Sequence, residues 1–279
     1  MRISIRCSAL KLYTVFKLRT PFNMTVTVQH SDGVTSLRMA DATPRRRDRL
    51  RAETSAEIKT IALKHLSANG ADAISLRAIA REMGMTAGAI YSYYANRDEL
   101  ITALITDVYG ALADVMEAAY ETVPAGEPGR RVLAVGQAYR QWALANPEEF
   151  RLIYGDPVPG YQPPDGGAAK AEEARACTVL LRLVEAGWPH AAAAHTGGVQ
   201  HEWSDFGPSF ASRVNELFPD LPPAAAALSM RTWGRMHGPV ALELYGHLRP
   251  QLREPDKLYL SEMLDLTRTL GFSVRGLTS

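Results

Sequence analysis

The chain has 279 residues, enough for one large domain or two modest ones with a substantial core. Apolar residues at 46% and charged residues at 22% exclude bulk disorder, and no apolar run approaches the roughly 20 residues of a membrane-spanning helix. The net charge of +1 conceals a division: 16 Lys/Arg stand against 9 Asp/Glu in residues 1–100, and 15 against 21 in residues 101–279. A basic first third on an acidic remainder suits a segment that meets a polyanion, joined to a body that does not.

Residues 1–44 carry Arg2, Arg6, Lys11, Lys17 and Arg19 with no acid before Asp32, and show no sustained helical period. No apolar stretch of a secretory signal follows the basic start. The segment reads as an organelle transit peptide or, preferred here, as a disordered or mis-assigned extension ahead of a true start at Met39. Arg45, Arg46 and Arg47, followed by Arg49 and Arg51, form a basic run directly before a helix and are candidate DNA-binding residues.

The spacing predicts a helix over 54–69. Thr54 and Glu57 match a capping box, and Ile58, Ile61, Ala62, His65 and Leu66 share one face. Asn69-Gly70 supplies the stop. A short helix follows, with Ser75 as cap and Leu76, Ile79, Ala80 and Met83 inward, ending at Gly84. Another opens at Thr86, with Ile90 and Tyr94 inward. Two short helices joined by a Gly-containing turn make a helix-turn-helix.

On the last of these helices, Thr86, Ala87 and Gly88 are small enough to let the helix end enter a major groove, and its free N–H groups suit a phosphate. Tyr91 and Tyr93 are placed away from the Ile90/Tyr94 face, as phosphate donors, with Arg97 as a nearby cation.

Residues 58–66, Asn69-Gly70, 75–80, 84–94 and 96–100 together resemble the DNA-binding domain of the TetR family of transcriptional regulators. The resemblance implies phosphate contacts at Ser75, Tyr91, Tyr93 and Arg97, and base reading around Thr86, Ala87 and Gly88. Arg97 stands where the family usually has Lys, and Tyr94 where it usually has Phe. His65 replaces an apolar residue and reads as a core-edge histidine.

The body predicts helices over 96–122, 130–145, from Asn146-Pro147, 168–187, from Pro222-Pro223 and from Pro255, with a Pro/Gly-rich loop at 155–167. Cys7 and Cys177, the only cysteines, supply neither a disulfide scaffold nor a thiolate cluster, and fit a reducing cytoplasm. His190, His195, His201 and Glu202 raise a metal site, but their spacing misses the i, i+4 pair that puts two ligands on one helix face. The segment from Trp233 to Leu244, with Trp233, His237 and Gly238, resembles a C-terminal regulatory domain of part of the TetR family. Pro239 predicts a kink beside it.

The expectation is an all-α chain. A three-helix DNA-binding head at 45–100 precedes a helical ligand-binding and dimerisation body at 101–279. The expected partners are a palindromic double-stranded DNA operator, a second copy of the chain and a small-molecule effector, with no membrane and no cofactor. Trp142, Phe150, Tyr154, Trp233 and His237 are the candidate ligand-binding residues, an aromatic wall with one titratable group. The function expected is a repressor released by ligand. The rivals are a regulator answering to a protein partner, and a metal-dependent hydrolase using the three histidines.

Overall fold

The computed structural model describes residues 26–30, 33–37, 46–70, 74–195 and 198–277. Its contacts divide the chain into residues 1–54 and 55–279. In the first unit, β1 (Val26–His30) and β2 (Gly33–Leu37) pair antiparallel, Val26 opposite Leu37 and His30 opposite Gly33. Their Val and Thr residues favour extended backbone. The reading of 1–44 as a disordered or mis-assigned extension does not foresee this hairpin. The remainder of that segment, with Met39, lies outside the described residues, as does Arg45.

From residue 46 onward the described chain is helical. Helix α1 (Arg46–Asn69) begins well before the predicted Thr54. Thr54 sits inside it, its Oγ1 donating to the Leu50 carbonyl at 2.9 Å, so the capping box is not the helix start. Arginine is a good helix former, and Arg46, Arg47, Arg49 and Arg51 lie inside the helix that the sequence placed after them.

In the second unit, the rest of α1 packs with α2 (Leu76–Glu82) and α3 (Ala87–Ile90) around Ile58, Ala62, Ile79 and Ile90, all at or near full burial. Gly84 takes φ +66° between α2 and α3, the left-handed turn that only glycine adopts cheaply. Tyr94 is buried, and its hydroxyl meets Ser55 Oγ at 2.8 Å. His65 is a core-edge residue: its Nε2 lies 2.8 Å from Glu82, whose carboxyl pKa is held down by Lys64 and His65.

Helix α4 (Arg97–Thr122) starts at Asn96, whose side chain accepts from the Glu99 N–H at 2.8 Å, while Glu99 accepts from the Ala95 N–H. It packs on α5 (Pro128–Ala145), α6 (Pro147–Tyr154) and α7 (Lys170–His195). A short 3-10 helix (Trp203–Asp205) and α8 (Pro208–Leu217) lead to α9 (Pro223–Leu244) and α10 (Pro255–Thr269). Helices α5, α6, α8, α9 and α10 carry Pro in the first turn, where its missing N–H costs nothing.

Helix α7 does not stop at Gly187 as predicted. It runs on through Pro189 to His195. Gly187 is instead a contact point: a Cβ there would lie 2.3 Å from the Leu270 carbonyl oxygen. Likewise α9 continues through Pro239 to Leu244.

Candidate functional site

The turn around α3 is built by local chemistry. Thr86 caps α3 in extended backbone, its Oγ1 accepting from the Ala89 N–H at 3.2 Å. This leaves Thr86, Ala87 and Gly88 exposed, and a Cβ on Gly88 would meet nothing. Helix α3 is only four residues long, so Tyr91 and Tyr93 follow it in a hydrogen-bonded turn. Tyr91 is 44% exposed, whereas Tyr93 is half-buried and packs against the core. The sequence placed both outside; the structure does so fully for Tyr91 alone.

Ser75, Tyr91 and Arg97, far apart in the chain, line one open groove of about 340 Å³ together with Arg77 and Asn96. Arg77 is a residue that sequence reasoning missed. Its position beside Ser75 at the start of α2 was the available signal. Ser75 is the N-cap residue of α2 but makes no side-chain cap bond. In the first unit, Arg46 and Arg47 are exposed on the first turn of α1.

Arg97 departs from its expected place as an exposed cation. It is half-buried, its Nε donating to the Ile74 carbonyl at 3.1 Å and its Nη1 to the Pro159 carbonyl at 3.2 Å. The 155–169 segment makes further bonds to α4. Tyr161 OH meets Thr102 Oγ1 at 2.9 Å, the Gln162 N–H donates to Asp98 at 3.3 Å, and Thr106 Oγ1 donates to the Ala168 carbonyl at 2.9 Å.

In the body, four of the five predicted ligand-binding residues come together. The His237 ring stacks on Phe150, with centroids 5.3 Å apart and planes at 14°. It meets Tyr154 edge-on at 4.8 Å and Trp233 at 5.5 Å. Trp233 is the rim of the cluster, 39% exposed. Trp142 is buried, but among the described residues no ring contact joins it to the other four. Its place on α5 is taken by Tyr139, one helical turn earlier, whose hydroxyl meets His237 Nδ1 at 2.8 Å. Tyr109 of α4 adds an edge contact to Tyr154 at 6.0 Å.

The cluster is held uncharged. Burial lowers the His237 pKa, and burial raises the phenol pKa values of Tyr139, Tyr154 and Tyr109. Such uncharged rings and hydroxyls suit a neutral molecule with hydrogen-bonding groups.

The three histidines of the metal reading do not converge. His195 Nε2 is 3.1 Å from the Thr269 carbonyl and its ring stacks on Trp188; His201 faces Asp205; His190 is exposed. Among the described residues no three His, Cys, Asp or Glu side chains are grouped to hold a metal ion, and no helix is long and apolar enough to cross a membrane.

Two family models match the chain. Residues 60–104 match the family described as bacterial regulatory proteins, tetR family, and residues 132–266 match a tetracyclin repressor-like C-terminal domain. HTH-type transcriptional regulators of Mycobacterium bovis (Mb1846) and Mycobacterium tuberculosis (Rv1816) are 43% identical over 128 residues, 46% of this chain and 54% of theirs. The chain therefore spans about half the length of these curated relatives. The crystal structure of the regulatory protein SCO4313 is 32% identical, covering 80% of this chain and 98% of its own, with a TM-score of 0.62. The chain belongs to the TetR family of transcriptional regulators.

A protein of unknown function from Rhodococcus sp. RHA1, 23% identical with a TM-score of 0.56 over 78% of this chain and 95% of its own, shares the fold. In this TetR-family regulator, Trp233, His237 and Gly238 fall inside the C-terminal match, and the groove of Ser75, Tyr91 and Arg97 inside the N-terminal one.

Proposed function

We propose that the chain is a homodimeric, cytoplasmic repressor that binds a palindromic operator and is released by a bulky, neutral small molecule entering the aromatic cluster. The observation that carries this reading is the path out of α6. Phe150 and Tyr154 on α6 pack on His237, and the segment leaving α6 bonds to α4 and, through Arg97, to the carbonyl just before α2. A ligand that parts those rings shifts α6, and the shift reaches the recognition turn. Operator affinity then falls by as much as the ligand's differential binding to the two states. Ser75, Tyr91, Tyr93 and Arg97 hold the phosphates, while Thr86, Ala87 and Gly88 face the bases. Two copies space their recognition helices about 34–36 Å apart, one turn of DNA.

Fluorescence anisotropy with the intergenic DNA beside the gene tests this reading. The chain binds a palindrome there, and a small molecule that raises its melting temperature releases it. His237→Ala weakens that release and leaves affinity without ligand nearly unchanged. Absence of sequence-specific binding would refute the repressor role.

The close ring packing favours a second reading, in which a protein partner replaces the small molecule. Under it, no small molecule stabilises the chain, and His237→Ala changes melting temperature only.

A further inference from the structure

The end of α5, the start of α6 and the turn between α9 and α10 enclose an open groove of about 710 Å³. Leu144, Leu244, Leu248 and Leu252 form its apolar wall, and Leu144 stands 37% exposed. The carboxylates lining it are already neutralised: Glu148 pairs with Arg151, and Glu243 takes two bonds of 2.8 and 2.7 Å from Arg140. Arg249 and Arg253 also line the groove, and among the described residues neither has an ion-pair partner. The groove thus joins a leucine floor to a cationic rim with no charge to balance it. Its volume falls in the range of small-molecule sites, roughly 300–1,000 Å³.

Each part selects a different part of a ligand. The leucines favour an alkyl tail, which removes apolar surface from water. The guanidinium groups favour a carboxylate, which accepts paired N–H bonds. We propose that this groove binds a medium-chain amphipathic carboxylate, its tail on Leu144, Leu244, Leu248 and Leu252 and its head on Arg249 and Arg253. The lining shares no residue with the aromatic cluster, so the proposal stands apart from the release mechanism above.

Calorimetric titration of the full chain with sodium decanoate, below its micelle concentration, tests the site. Decanoate saturates one site per chain. Acetate, which lacks the tail, and decyltrimethylammonium, which carries the opposite charge, do not. The double variant Arg249→Gln/Arg253→Gln binds decanoate roughly tenfold more weakly. Both side chains are exposed, so the variant keeps the parent melting temperature. Hydrogen exchange with decanoate slows at 144–151 and 243–255. Absence of saturation, equal binding by the double variant, equal binding of the cationic amphiphile, or protection confined to the aromatic cluster overturns the proposal. A changed sedimentation mass for the double variant without decanoate binding also overturns it, and makes the groove a contact between copies of the chain.

Discussion

Tyr91 offers one phenol O–H from a turn whose first residues are small. A phosphate contact carries no sequence information, so Tyr91→Phe should weaken operator and unrelated DNA alike, by about 1 kcal/mol or roughly fivefold. Anisotropy with both duplexes checks this; a loss confined to the operator would make Tyr91 a base reader. Arg97 separates charge from shape. Arg97→Lys keeps the charge but loses the fork that reaches two carbonyls, so the salt dependence of DNA binding should hold while the melting temperature falls by about 2–4 °C. Arg97→Ala should also flatten the salt slope by about one unit. An unchanged slope would make Arg97 purely a strut. His237 gives a pH signature. Burial lowers its pKa from 6.5, so on acidification the unfolded chain takes the proton first. The stability it contributes is complete above 6.5 and declines as pH drops through 6.5 towards the lower folded value. The melting temperature should therefore fall between about pH 7 and about pH 5 for the parent, and fall less for His237→Gln. His237 was legible as one wall of the site. Its partner Tyr139, 98 positions away, was not, because helical periodicity says which side is inward but not what it meets.

Helices were the most legible element, because 3.6-residue periodicity and first-turn prolines survive any tertiary context. Ends were less so. Gly187 reads as a stop, yet it lies where α7 meets the chain at Leu270, and packing overrode its low helix propensity. Gly187→Ala would drive a Cβ against backbone, which cannot swing away as a side chain can. It should destabilise the fold by about 1–3 kcal/mol, measured by urea unfolding. Gly136 makes the contrast: its added Cβ would meet Met263 Sδ at 2.5 Å, the flexible part of a side chain, so Gly136→Ala should cost less.

At the scale of the whole molecule, large apolar side chains remain uncovered on α9 and α10. Leu242 is 45% and Leu258 43% exposed, and Trp233 and Tyr245 stand outward as well. A second copy would cover them around a two-fold axis. Leu264, an obvious choice from the pattern, packs partly on the chain's own core, so a charge there would test folding along with assembly. Leu242→Glu/Leu258→Glu is the cleaner test. Sedimentation should give monomers with the parent's circular dichroism and weakened hold on a palindromic site. An intact dimer would place the interface elsewhere.

The sequence by itself determined the helical class, the helix-turn-helix and the family, because caps, periodicity and small first-turn residues act within a few positions of one another. It also marked Trp142, Phe150, Tyr154, Trp233 and His237 as one group, with Trp233 and His237 on one helix face. Only the tertiary structure decided that Tyr139 rather than Trp142 completes the cluster, and that Arg97 is tied to Ile74 and Pro159. It alone gathered leucines and arginines from three helices and a turn into one groove. Those contacts join residues far apart in the chain, and which of them meet depends on how the helices pack, which no local pattern encodes.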